Sequence, residues 1–417
     1  DIMYVKNSLR IKRVKRTIRK LKFRILFLLL SLGVKIRLLI EFRKWVILGF
    51  IVGIIGGVSA LAFQTTLTLT ETVFGHVRLY LPLGVVASLF CGGLLSGFLV
   101  YSLAPEAEGH GTDAVIGAIH KRWSRIRMST GIVKLLASAL TIGSGGSAGK
   151  EGPIAQISAA FSSSIANMLK LRIPDRRVLV VSSIAAGIGA IFKAPLGAAL
   201  FAIEVLYKRD FEVEAIIPSI IGSVVAYSIY CTIMGWEPLL SHPHYLFRNP
   251  FELLFFVILG LLMGISGNLY VKIFYLFNSL FKRLHIPPHF KPSLGALAVG
   301  AIGIFLPQVL GGGYEHISEA LKGSYGWDLM LLLATFKVIA TSLTIGSGGS
   351  GGVFAPSLYI GAMLGGVWGT ILSLLFPDIV ITPSAYALIG MTSFFSGAAK
   401  VPLALSLIHI SEPTRPL

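Results

Sequence analysis

Glu151 is the residue with most chemistry to offer, because it is a carboxylate at a helix-start pattern inside a largely apolar, glycine-rich run. Residues 134–153 read KLLASALTIGSGGSAGKEGP, and residues 337–356 read KVIATSLTIGSGGSGGVFAP. The two segments agree at 12 of 20 positions with a constant offset of 203, which marks an internal duplication rather than shared composition. Each is an apolar run broken by glycines and followed by a proline, the form of a membrane helix interrupted part-way. A helix that begins inside a membrane has first N–H groups without intrahelical acceptors, and hydrocarbon provides none. An anion satisfies them, favoured by the positive end of the helix dipole. Residues 149–153 and 352–356 are therefore expected to open two half-helices whose amino ends share one dehydrated anion. At such an end Glu151 can place its own oxygens on the amides the anion would use, and protonation would release it. The alternative is an ordinary helix-start acid favoured by the dipole at a water-facing end. The second copy has Phe354 in place of the acid.

The elements that must position these residues belong in lipid. Of 417 residues, 54% are hydrophobic and 13% charged, about half the charge of a soluble domain. Candidate spans near the ~20 residues that cross a bilayer are 45–64, 84–103, 213–232, 251–270, 293–310, 327–345 and 357–376. Runs 131–142, 154–168 and 179–192 are too short or too glycine-rich to cross simply. The expected fold class is an all-α polytopic membrane protein built from two inverted repeats of tilted and broken helices. Its expected divisions are a basic cytoplasmic segment 1–44, a first membrane repeat 45–232, an incomplete second repeat 233–404 and a tail 405–417.

The net charge of +18 is concentrated at the amino end, where residues 1–44 hold 14 of the 37 Lys and Arg. Just before a membrane span, such a stretch reads as a cytoplasmic anchor on anionic lipid. No nucleic-acid module accompanies it, so no nucleic-acid partner is expected. Cys91 and Cys231 sit in apolar runs and suggest neither a metal site nor a redox role. GSGGSAGKE mimics a phosphate loop, but Glu151 stands where Ser or Thr would bind magnesium. Gly346-Ser-Gly348-Gly-Ser-Gly351 fits GxGxxG formally, yet follows a helical stretch rather than a strand. No HExxH, paired acids or Ser/His/Asp set lies within the spans, so neither an enzyme nor a cofactor is expected. A secondary transporter of another substrate on the same inverted architecture is a further reading.

Gly149-Lys-Glu-Gly-Pro153 and Gly352-Val-Phe-Ala-Pro356, in that order and about 200 residues apart, resemble the signatures of the CLC family of chloride channels and chloride/proton exchangers. The resemblance covers roughly residues 45–404. It implies a homodimer with a separate chloride pathway in each subunit and Glu151 as the external gate. It also implies a central anion site at the amides of Val353 and Phe354 after Gly352, and an outer one around Gly149, Lys150 and Gly152. The family's third signature matches best at Gly109-His-Gly111-Thr-Asp113-Ala, where the family's proline and glutamate are replaced. His110 falls where many members place a serine on the anion. It reads either as a donor to the ion or as a histidine at a helix start touching only water.

Exchangers of this family carry an internal proton-relay glutamate, and alignment on Phe192-Lys-Ala-Pro-Leu196 puts Val205 there, beside Glu204. Valine cannot carry a proton, which favours a passive, voltage-gated type of channel. Glu204 is a possible relay if it substitutes, or else a helix-end acid near Lys208 and Arg209. Lys193-Ala-Pro-Leu196 matches Lys400-Val-Pro-Leu403, after which the second repeat breaks off. Residues 405–415, LSLIHISEPTR, read as a translated sequencing adapter, so 405–417 is expected to be non-native and the pore tyrosine of the family to be missing. A bacterial inner membrane is the expected location.

Overall fold

The computed structural model describes residues 2–81, 83–205, 212–240, 249–380 and 382–399, with side chains from residue 41 onward. The Lys400-Val-Pro-Leu403 match and the 405–417 tail lie outside the described residues. The chain divides into two units at Leu48 and Gly49. The first is the amino-terminal stretch of a long helix, and the second carries everything discussed below.

In the first half α1 (Ile2–Tyr80), α2 (Gly84–Leu103), α3 (Thr112–Lys121), α4 (Met128–Gly143), α5 (Glu151–Met168), α6 (Ile173–Phe192), α7 (Pro195–Glu204) and α8 (Ile216–Met234) follow in order. The second half runs α9 (Glu252–Arg283), α10 (Lys291–Phe305), α11 (Tyr314–Lys322), α12 (Trp327–Gly346), α13 (Phe354–Leu375) and α14 (Ala385–Ala399). Among the described residues there is no strand, only two isolated bridges between glycine loops. Among the described residues six helical stretches suffice, by length and composition, to cross a membrane: Glu41–Tyr80, Gly84–Leu103, Val213–Met234, Glu252–Arg283, Trp327–Gly346 and Phe354–Leu375.

The expected span 293–310 stops early. Its helix ends at Phe305, because Leu306 precedes Pro307 and leaves the helical region (φ −132°, ψ 72°). The run 179–192, expected to be partial, belongs to a 20-residue helix, Ile173–Phe192, that Pro174 helps to start. That helix ends where Lys193 takes a left-handed conformation (φ 57°).

The two halves are related by a local two-fold axis, and side chains 203 residues apart report it. Ser147 Oγ meets Thr341 Oγ1 at 2.9 Å, and the equivalent pair, Ser138 and Ser350, meets at the same distance. Helices α2 and α10, counterparts in the repeat, pack on each other, and α5 lies on α6 as α13 lies on α14. Reciprocal contacts between equivalent positions are what a two-fold relation requires.

Lys134 and Lys337 show the same relation and were not singled out from the sequence, although they open the two duplicated segments. Both are fully buried. Lys134 Nζ donates to the carbonyls of Ala107 (3.1 Å) and Gly109 (2.6 Å), and Lys337 Nζ to those of Val309 and Gly311 (2.8 Å each). Each lysine thus pins the loop before the short helix of its half, α3 or α11. Removing one leaves two carbonyls without their donor, each such loss being worth about 1–3 kcal/mol. Lys337→Met should therefore lower the thermal unfolding midpoint in detergent by several degrees, while a surface change such as Lys322→Met should not. An unchanged midpoint for Lys337→Met would show that the loop is held by other means.

Candidate functional site

The site is built where the two broken segments meet. Gly149 N–H donates to the Gly352 carbonyl and Gly352 N–H to the Gly149 carbonyl, both at 2.7 Å. This antiparallel pair joins the loops immediately before α5 and α13 and points the amino ends of the two helices at one region. Within α5 the first helical bond runs from Ile154 N–H to the Lys150 carbonyl, and within α13 from Ser357 N–H to the Val353 carbonyl, each 3.1 Å. The N–H groups of Lys150, Glu151 and Gly152, and those of Val353, Phe354 and Ala355, therefore have no acceptor in their own helix. Pro153 and Pro356 follow and bring no N–H to be stranded. Six amide donors from two helix starts are concentrated in a buried region, with the positive ends of two dipoles behind them.

Glu151 stands in the first turn of α5 and is 2% exposed. Its carboxylate turns back onto the backbone amides of Lys150, Glu151 and Ala355, drawing on both half-helices, without completing a hydrogen bond of standard geometry. Only glycine at position 149 permits this fold-back, since a Cβ there would collide with Glu151 Oε2 and press on Ala355. Gly152 is required for a similar reason, because the His110 carbonyl lies against its Cα.

A cavity of about 250 Å³ reaches Glu151 from below this junction. Of the residues expected at the site, His110, Glu151, Gly152, Val353 and Phe354 line it. Gly149 and Gly352 form the hydrogen-bonded junction instead. Lys150 sends its ammonium elsewhere, to Gln64 Oε1 at 3.1 Å and over the Tyr314 ring at 5.4 Å. Val205 lines the cavity whereas Glu204, buried at the end of α7, is not among its lining residues. Both ring nitrogens of His110 are engaged, Nδ1 with Thr112 Oγ1 at 3.0 Å and Nε2 with Asp113 Oδ2 at 2.8 Å. The ring is thus tied to its own loop, and the nearest part of His110 to α5 is its carbonyl.

Phe354 packs in an aromatic cluster with Phe192, Phe201 and Phe395, its ring centroid 4.7, 5.9 and 4.0 Å from theirs. The rings come from α6, α7, α13 and α14, and those of Phe201, Phe354 and Phe395 line the cavity next to Glu151. An apolar collar of this kind resists water and ions alike. Phe201 and Phe395 carried no sequence signal, since phenylalanine is common throughout an apolar chain. Tyr270 on α9 also lines the cavity, with its hydroxyl buried.

Comparison with known proteins places this arrangement among others. The profile of a family described as "Voltage gated chloride channel" matches residues 92–412. The chain is 30% identical over 364 residues to a protein of Methanocaldococcus jannaschii described as "Uncharacterized protein MJ0305", covering 87% of both chains. It is 30% identical over 377 residues to the H(+)/Cl(-) exchange transporter ClcA of Vibrio campbellii, covering 87% of this chain and 80% of that one. Among solved structures, the fold is similar to that of a slow cyanobacterial Cl−/H+ antiporter, with TM-score 0.77, 24% identity and coverage of 89% of this chain and 88% of that one. It is also similar to that of a CLC-type fluoride/proton antiporter, with TM-score 0.73, 24% identity and 89% coverage of each.

The aromatic collar makes a specific prediction. Phe354→Leu keeps the position apolar but removes ring contacts with three neighbours, so ion efflux from loaded vesicles should rise several-fold. An unchanged rate, in protein that unfolds at the normal temperature, would mean that the collar is not the narrow point.

Proposed function

The chain belongs to the voltage gated chloride channel family, the CLC family, whose members transport anions across membranes, and from that premise we propose that it exchanges chloride for protons. The observation that carries the proposal is the position of Glu151. Its carboxylate is buried at the head of a cavity, on amides contributed by both half-helices. A negative carboxylate and a chloride ion need the same donors, so the two compete for one place. A proton on Glu151 removes its claim on those amides and lets an anion take them. Anion occupancy and protonation of one side chain are thereby linked, each favouring the other, so that proton and chloride movements through the site depend on one another.

Backbone amides suit transport as well as binding. They hold an anion by oriented partial charges rather than a full positive charge, so the ion is stabilised enough to enter and still free to leave. The inner amides of Val353 and Phe354 and the outer ones around Lys150 to Gly152 would serve as successive stations, with the Gly149–Gly352 junction holding them in register.

Val205 favours passive conduction, and the relatives weigh the other way, since the ClcA proteins are named exchange transporters. The setting we propose is a bacterial inner membrane, with the protein as a homodimer carrying one pathway per subunit.

The test uses proteoliposomes under an imposed chloride gradient, recording chloride efflux and external pH together. Protons should move against their gradient in fixed ratio to chloride. Glu151→Gln and Glu151→Ala should abolish proton movement and the pH dependence of efflux while chloride still leaves. Chloride flux without protons in the unaltered protein would establish a channel. Efflux that stays pH-gated in Glu151→Gln would remove Glu151 from the gate.

A further inference from the structure

The cavity beneath Glu151 carries a second acid–base system that the anion pathway leaves unused. His110 sits between Thr112 and Asp113, with Nδ1 3.0 Å from Thr112 Oγ1 and Nε2 2.8 Å from Asp113 Oδ2. All three side chains line the cavity that Glu151 also lines. Exposure falls along the series. Asp113 has 69% of its side chain accessible, His110 20%, and Glu151 is buried. Imidazole is the side chain that ordinarily titrates between pH 5 and 8.

We propose that Asp113, His110 and Thr112 form the relay that passes protons between solvent and Glu151 through this cavity. The inference rests on the exchange reading above and names the proton-handling groups for it.

The local chemistry supports a relay rather than a fixed hydrogen-bonded clasp. A carboxylate only accepts, so the neutral imidazole carries its hydrogen on Nε2 and donates it to Asp113, while Nδ1 accepts from the Thr112 hydroxyl. The hydrogen bond from His110 holds the Asp113 carboxyl below its usual range, outside the membrane-spanning helices, so it stays an acceptor. In the other tautomer, with the hydrogen on Nδ1, a solvent proton picked up by the exposed Asp113 carboxylate passes to Nε2 and gives imidazolium with N–H on both nitrogens. Nδ1–H then donates to Thr112 Oγ1, and the Thr112 hydroxyl is free to donate its own hydrogen to water in the cavity. Transfer along that line returns the ring to the neutral form and leaves one proton on the Glu151 carboxylate, so atoms and charge balance. The charge on the ring is bounded by few neighbours. The titratable groups around it are Glu151 on α5, Tyr270 and Tyr275 on α9, Lys134 on α4 with its Nζ on the Gly109 carbonyl, and Glu108 on the same loop. Val205 and the cavity's aliphatic and aromatic lining do not titrate, and Glu204 is not part of that lining.

The experiment compares the unaltered protein with Asp113→Asn, His110→Gln and Glu204→Gln in proteoliposomes, reading protons moved per chloride under an imposed chloride gradient across external pH 5 to 8. A group that transfers a proton in the limiting step contributes on the order of a hundredfold or more, so Asp113→Asn and His110→Gln should each lower the ratio by at least about tenfold. The dependence of the residual proton flux on external pH should also change, which a purely structural role would not produce. Glu204→Gln should leave the ratio as it was. If both relay variants keep the ratio and the pH profile, or if Glu204→Gln alone abolishes proton movement, the relay is wrong while exchange stands. If the unaltered protein moves no protons, exchange and relay both fall. Should His110→Gln carry neither ion, Asp113→Asn decides, because that side chain is largely exposed and the change keeps its volume.

Discussion

The structure depends on one constraint: a helix that starts inside a membrane must find acceptors for its first amides. Here two helices start there, with Pro153 and Pro356 each removing one donor and leaving three apiece. The reciprocal bonds between Gly149 and Gly352 keep these starts directed at the same region. Without that junction there would be two separate weak anion sites. With it the donors of two helix starts lie beside one another, and the positive ends of both dipoles face the same region.

The two-fold relation explains the scaffold, and it is broken at the proposed site. Structural pairs are retained in both halves: Ser147 with Thr341 and Ser138 with Ser350, and the buried ammonium groups of Lys134 and Lys337 on the loop carbonyls. At the helix starts the copies diverge. One half supplies Glu151, a removable negative charge, and the other supplies Phe354, which gathers an aromatic collar around the approach.

Burial accounts for the expense of the design. Buried lysines and a buried glutamate are costly unless satisfied. The lysines are satisfied by two carbonyls each, which makes them fixed parts of the frame. Glu151 completes no hydrogen bond of standard geometry with the surrounding protein.

Much of this was legible in the chain itself. The 203-residue repeat, the glycine breaks with their prolines and the lone Glu151 were enough to anticipate an all-helical membrane protein with two paired half-helices and a carboxylate at one of them. Local chemistry settles those features, because glycine, proline and apolar periodicity act within a few residues of where they stand. Lys134 and Lys337 were visible at the same spacing but went unread, since their partners are carbonyls 25 to 28 residues away and nothing local marks those carbonyls as acceptors. The sequence determined which groups could bind an anion or a proton. Only the tertiary structure decided that Phe201 and Phe395 join Phe354, that Val205 rather than Glu204 lines the cavity, and that His110 is tied to Thr112 and Asp113 facing the space below Glu151. Those relations depend on how α3, α7, α9 and α14 pack around the helix starts, and packing between distant segments leaves no periodic trace in the chain.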